Sequence, residues 1–181
     1  MKTDYRCVTL TGGFWKKKED LNRDITTPAV YNRFDETGRI EAFKCNWKEG
    51  MPNQPHIFWD SDIAKWMEGV AYMAESGEID PELIAKVDEV VDNIAKNQLE
   101  NGYFNSHYIA VEPDKIFTHR GCHELYCTGH LIEAAIAYDR ATGKDKFLKC
   151  MIKNADYIYE RFYVKKDTAF VTPGHQEIEI A

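Results

Sequence analysis

A pair of helices of unequal character occurs twice in this chain, and that recurrence limits the fold more than any other feature. The first member is apolar nearly all round. It runs from about Ser61 through Ile63, Trp66, Met67, Val70, Ala71, Tyr72 and Met73, and again from His123 through Leu131, Ile132 and Ala134 to Tyr138. A helix without a wet face is covered on every side. The second member keeps one wet face: Leu83, Ile84, Val87, Val90, Val91, Ile94 and Ala95 recur at helical spacing in one copy. Phe147, Leu148, Met151, Ile152, Ala155, Ile158, Tyr159 and Phe162 do so in the other. Asp80 is the expected N-cap of the first amphipathic helix, with Pro81 at its first position and Glu82 in its first turn. Short turns, Glu75-Ser76-Gly77 and Ala141-Thr142-Gly143-Lys144, join the members of each pair.

The copies also align residue by residue. Glu68, Tyr72 and Gly77 correspond to Glu133, Tyr138 and Gly143, and Asp92-Asn93-Ile94 to Asp156-Tyr157-Ile158, a weak repeat of about 64 to 66 residues. Stacked hairpins with buried helices inside and amphipathic ones outside describe an all-α fold, an α/α toroid or solenoid. Ahead of the repeats, Trp15 to Phe34 reads as a helix interrupted at Pro28, which either kinks it or restarts it behind Thr26-Thr27, and residues 37–59 as an ordered surface loop. Thr168-Ala169-Phe170-Val171 and Tyr103-Phe104 carry weak strand signals.

Length and charge narrow the function classes. A chain of 181 residues is one domain by size, and its net charge of −7 argues against nucleic acid as a partner, since the dense basic run Lys16-Lys17-Lys18 is followed at once by Glu19-Asp20. No apolar run approaches the roughly 20 residues that span a bilayer. Met1-Lys2-Thr3-Asp4-Tyr5-Arg6 is not followed by an apolar signal core, so the expected compartment is the cytoplasm. The five cysteines, Cys7, Cys45, Cys122, Cys127 and Cys150, are odd in number and show no C-x-x-C spacing, which fits reduced thiols better than a disulfide framework. Cys150 falls on the core side of its helix.

Loop lengths alternate, and this defines a functional end. Long loops (37–59, 101–121, 164–173) lead into each buried helix, so the helix starts gather on one rim. That rim carries Trp59-Asp60-Ser61-Asp62, His123-Glu124 and His175-Gln176-Glu177, with Tyr103, Phe104, His107, Tyr108 and Phe117 on the adjoining loop. Flat rings covering sugar C–H faces, with carboxylates and imidazoles holding hydroxyls, suit a polyhydroxylated ligand. Against this, Asp60, Ser61 and Asp62 also fit the bland role of N-cap and first-turn residues, as do Glu124, Glu177 and Glu179 as first-turn acids. The histidines resist that explanation, because an imidazolium is disfavoured at a helix N-terminus. His56, His107 and His119 read as solvated loop residues. His123, Cys127 and His130, spaced by four and seven, share one helical face and offer an alternative, a metal-binding helical module.

Four words occur in one order: Phe58-Trp59-Asp60-Ser61-Asp62-Ile63-Ala64-Lys65-Trp66, Asn101-Gly102-Tyr103-Phe104-Asn105, His123-Glu124-Leu125-Tyr126-Cys127-Thr128-Gly129-His130-Leu131-Ile132-Glu133-Ala134-Ala135, and Gly174-His175-Gln176-Glu177-Ile178-Glu179. Together they resemble the N-terminal part of the β-L-arabinofuranosidase family, glycoside hydrolase family 127, from about Phe14 to Ala181. The resemblance implies an (α/α)6 barrel catalytic domain that releases terminal β-L-arabinofuranose from plant-type glycans. It also implies a retaining mechanism with a cysteine thiolate nucleophile, a zinc ion held by further cysteines and a glutamate, and a second glutamate as acid/base. The family's sugar-contacting histidines fall on His123 and His175; Trp59 and Asp62 complete the expected substrate-binding set. The catalytic and zinc-binding residues of the family lie beyond the last word, so no catalytic or metal residue is assigned, and none of the five cysteines matches that motif. Six hairpins at roughly 60 residues each need about 360 residues. Residues 1–181 therefore read as the N-terminal portion of one such barrel, incomplete in this chain: a sugar-binding rim that is inactive alone and self-associates through its open edge. The alternative is a non-catalytic carbohydrate-binding or scaffold fragment.

Overall fold

A computed structural model of the chain describes residues 8–77 and 79–181. All regular structure among them is helical. Helices α1 (Gly13–Leu21), α2 (Thr27–Glu36) and α3 (Arg39–Ala42) precede two hairpins, α4 (Trp59–Glu75) with α5 (Pro81–Asn97) and α7 (Glu124–Thr142) with α8 (Lys146–Tyr159). The short α6 (Ser106–Ala110) lies in the long loop between them, and α9 (Glu177–Ile180) begins the next inner position. The repeat expected from the sequence is realised in register: α4 to α7 and α5 to α8 both start 65 residues apart, at 59 and 124 and at 81 and 146.

The buried members pack on each other. Ile63, Met67 and Val70 of α4 and Leu131, Ala134 and Ala135 of α7 are completely covered, and the small side chains let the two helices lie close along their length. Outside them, α5 contributes Leu83, Val87, Val90, Val91 and Ile94 to the same core, and α8 contributes Phe147, Cys150 and Met151. Asp80 caps α5 as expected, accepting the Glu82 N–H at 2.9 Å. At the other hairpin the chain leaves α7 through Gly143 at φ +70, a left-handed conformation that glycine adopts without steric cost. The ends of α4 and α7 are tied by Arg140, whose Nε donates to Glu75 Oε1 at 2.5 Å.

Of the two readings at Pro28 the restart holds: a wide turn over Asn22–Thr26 leads into α2, which begins at Thr27 with the proline in its first turn. Three details differ from the sequence reading. Residues 37–59 include α3, whose Ile40 and Ala42, with Phe43 after them, enter the core. Neither suggested strand forms; instead the Ala169 N–H reaches across to the Phe117 carbonyl at 3.1 Å. The inner helices are also not covered all round, since Tyr72 and Ile136 are each more than two-fifths exposed. The fold is part of an α/α barrel. Cys7 and Met1–Arg6 lie outside the described residues.

Candidate functional site

Loops enter α4, α7 and α9 from the same end of the layer, and a cavity of about 690 Å³ opens there. Trp59, Asp62, His123 and His175, the four residues singled out in the sequence, all line it. So does Ser61, also placed on the rim from the sequence, together with Arg39, Gln54, His56, Phe58, Lys65 and Tyr126, which sequence reasoning missed. A signal existed for two of them: Lys65 is four residues from Ser61 and Tyr126 three from His123, so each shares a helical face with a residue already chosen. Arg39, at the start of the four-residue α3, and Gln54 and His56, on the loop after it, come from a segment with no periodicity to read.

Each wall has a distinct construction. Arg39 donates from Nε to Asp62 Oδ2 at 3.1 Å and lies 5.0 Å over the Trp59 ring, so one face of that indole is already occupied by a cation. His123 stands at φ +59, a left-handed conformation outside glycine, and acts as the N-cap position of α7 without a side-chain cap bond. Its ring meets Phe58 edge-on at 4.5 Å and Tyr126 at 5.5 Å. Tyr126 is the hub, with its ring also edge-on to His175 at 4.7 Å and to His130 at 4.6 Å, and its hydroxyl accepting from Lys65 Nζ at 2.6 Å. His175, which lines the cavity, accepts the Glu177 N–H at Nδ1 at 3.1 Å, so in the neutral ring Nε2 carries the proton. The lining thus offers guanidinium, ammonium and imidazole N–H donors, one paired carboxylate and several rings.

Other rim candidates have structural roles. Asp60 is turned inward and 1% exposed, accepting the Ser106 N–H at 2.8 Å and the Ser106 hydroxyl. Burial lifts its carboxyl to about 6 against the pull of those bonds. Neither it, Ser61 nor Asp62 caps α4, because the chain enters that helix through a turn in which the Trp59 N–H bonds the His56 carbonyl. Glu124 is buried under the loop: the Tyr103 hydroxyl donates to it at 2.6 Å and the Phe117 N–H at 2.9 Å. Burial pushes its carboxyl to about 7. Tyr103, Phe104, Tyr108 and Phe117, expected on the rim, are instead buried. Tyr103, Tyr108 and Phe117 form a small core with Leu125 and Tyr157, since the loop needs apolar filling of its own. His107 is likewise not solvated, as its Nδ1–H donates to the Pro55 carbonyl at 2.7 Å.

The His123, Cys127 and His130 face does not come together. Cys127 donates its S–H to the Ile57 carbonyl at 3.2 Å, His123 faces the cavity, and His130 turns toward Glu133 and Glu177.

Against known proteins, the family model described as "Beta-L-arabinofuranosidase, GH127 catalytic domain" matches residues 7–181. The chain belongs to the GH127 β-L-arabinofuranosidase catalytic-domain family. A curated relative of this GH127 chain, the non-reducing end β-L-arabinofuranosidase of Bifidobacterium longum subsp. longum, is 32% identical over 96% of the chain and 30% of the relative. The crystal structure of a GH127 β-L-arabinofuranosidase from Geobacillus stearothermophilus T6 superposes with a TM-score of 0.85 at 40% identity, covering 95% of this chain and 28% of that one. A second GH127 β-arabinofuranosidase structure gives 0.82 at 28% identity, covering 97% and 29%. The GH127 chain therefore spans less than a third of the length of these relatives.

The described residues do not fit the thiolate-bound zinc that the resemblance implies. No described cysteine belongs to a group of three or more ligating side chains, and burial holds two of the thiols protonated, Cys45 at about 12 and Cys127 well above its ordinary value.

Proposed function

We propose that residues 1–181 are the N-terminal portion of a single (α/α)6-barrel catalytic domain of a β-L-arabinofuranosidase-type glycoside hydrolase, and that they supply one wall of its sugar site. His123, His175, Trp59 and Asp62 contact a terminal L-arabinofuranose of a plant-type glycan. The observation that carries this reading is the convergence, on one cavity, of histidines from two successive inner helices with Trp59 and Asp62 from a third. Imidazole N–H and carboxylate groups suit the hydroxyls of a small sugar, and the exposed part of the indole suits its C–H face.

The same lining supports a wall that binds without cleaving. Glycosidic hydrolysis needs an acid and a nucleophile or base flanking the bond, and the described lining offers one carboxylate, Asp62, already paired with Arg39, and no thiol. No described helix is long and apolar enough to cross a membrane. The described cysteines are unpaired, which supports a reducing, cytoplasmic setting. Self-association through the exposed apolar edge belongs to the same reading.

The test uses the 181-residue chain with a methyl β-L-arabinofuranoside and an aryl β-L-arabinofuranoside. Chemical shifts of the His123 and His175 rings move on adding the methyl glycoside, and the aryl glycoside is not turned over. Turnover that survives replacement of all five cysteines overturns the proposal, as does a glycoside that shifts neither ring.

A further inference from the structure

Behind Tyr126, away from the sugar-facing cavity, three ligating side chains point at one another. His130 Nδ1 lies 3.0 Å from Glu177 Oε1 and 3.9 Å from Glu133 Oε2, and one donor atom from each of the three fits within 4.8 Å of the others. His130 Nδ1 and Glu177 Oε1 are buried and have no hydrogen-bond partner, so their approach lacks the angle of a bond between them. Glu177 is only 7% exposed and cannot swing clear: it is pressed into the slot left by Gly129, where even a methyl group would meet its Cγ at 2.8 Å. The Lys65 ammonium is engaged with the Tyr126 hydroxyl.

Two carboxylates converging on an imidazole repel each other unless a cation or a shared proton lies between them. We propose that His130 Nδ1, Glu133 and Glu177 form a divalent-cation site of the zinc class, with solvent completing the coordination. One nitrogen and two carboxylate oxygens are a donor set that Zn²⁺ accepts at three protein positions with one left open. The site contains no cysteine and is separate from the thiolate zinc of the family. Its consequence is mechanical. Glu177 heads α9, and its N–H is the donor to His175 Nδ1, so a cation shared by α7 and α9 fixes where His175 stands in the cavity.

The experiment titrates the chelator-treated 181-residue chain with Zn²⁺ by calorimetry and with Co²⁺ by visible absorption. The expected result is a single equivalent bound, a Co²⁺ spectrum without thiolate charge transfer, and no change when Cys45 and Cys122 are both replaced by serine. His130→Ala and Glu177→Gln each lower the affinity at least tenfold. Glu133→Gln, at a more open position, does the same with an unchanged circular dichroism spectrum, which separates ligand loss from misfolding. Binding that persists in all three variants, or that disappears with the cysteines, overturns the proposal. So does a chain that takes up no Zn²⁺, the behaviour of two carboxyls sharing a proton.

Discussion

Glu124 shows how a single carboxylate can hold a loop and leave a measurable trace of doing so. It accepts bonds from Tyr103 and Phe117, yet burial raises its folded-state value from 4.5 to about 7. The folded chain therefore binds more protons than the unfolded one between those values, and stability falls as pH rises through that window. The full shift corresponds to a cost on the order of 3 kcal/mol above pH 7. Asp60, lifted to about 6, contributes in the same direction, while His130, lowered to about 4, works with the opposite sign. The difference between Glu124→Gln and the parent isolates the effect. We expect the variant to lose the downward slope in thermal midpoint between about pH 4.5 and 7, measured by circular dichroism; parallel curves would refute it. None of this was legible in the sequence, where Glu124 reads as a first-turn acid. Its burial depends on the loop through Tyr103 and Phe117 folding over it, a contact no local pattern encodes.

At the level of elements, what the sequence makes visible is what repeats. The hairpins, their short turns and the Asp80 cap follow from helical spacing and capping chemistry, both local. The α3 helix is invisible because four residues cannot display a period, and the wide turn ahead of Pro28 is invisible because it has no residue signature of its own, although the restart at the proline is legible. Close approach is partly legible: Thr128 and Gly129 have the small size that a crowded helix demands. Gly129→Ala tests that crowding. The added methyl meets Glu177 Cγ at 2.8 Å and its carbonyl carbon at 2.9 Å, so the start of α9 must move. Alanine is also the better helix former by about 1 kcal/mol, which supports α7 itself. The expected outcome is a thermal midpoint little changed or raised, with faster amide exchange across residues 177–181 read by mass spectrometry. Unchanged exchange there would show that the slot has room to spare.

For the whole molecule, the candidate site was legible as a place and less so as a population. Alternating loop lengths put His123, His175, Trp59 and Asp62 at one end, but they could not tell which loop aromatics fill the loop itself and which face the cavity. The outer surface carries a further consequence. Ile136 on α7 is 42% exposed, and Ile152 and Tyr159 on α8 are 52% and 62% exposed, with Tyr163 stacked on Tyr159 at 5.5 Å. Each large apolar side chain left in water forgoes roughly 1.5 to 3 kcal/mol, and a few of them approach the net stability of a domain. We expect the chain to associate at micromolar concentration in sedimentation, and Ile152→Lys with Tyr159→Lys to shift it toward monomer. A strict monomer with a sharp, high-temperature transition would count against an open edge.

The cavity draws its walls from α4, from the head of α7 and from the approach to α9, so it belongs to no single hairpin. It is a seam, and its dimensions are set by how the units are stacked. A slip of one helical turn between neighbours displaces their side chains by about 5.4 Å, enough to part His123 from Phe58 while leaving every hairpin intact. Trp59 sits in that seam under the Arg39 guanidinium, half-buried, where its emission depends on the cation above it and the water around it. The indole is thus a built-in gauge of alignment: a change in its fluorescence without loss of helical signal reports that the units have shifted against one another while each stays folded.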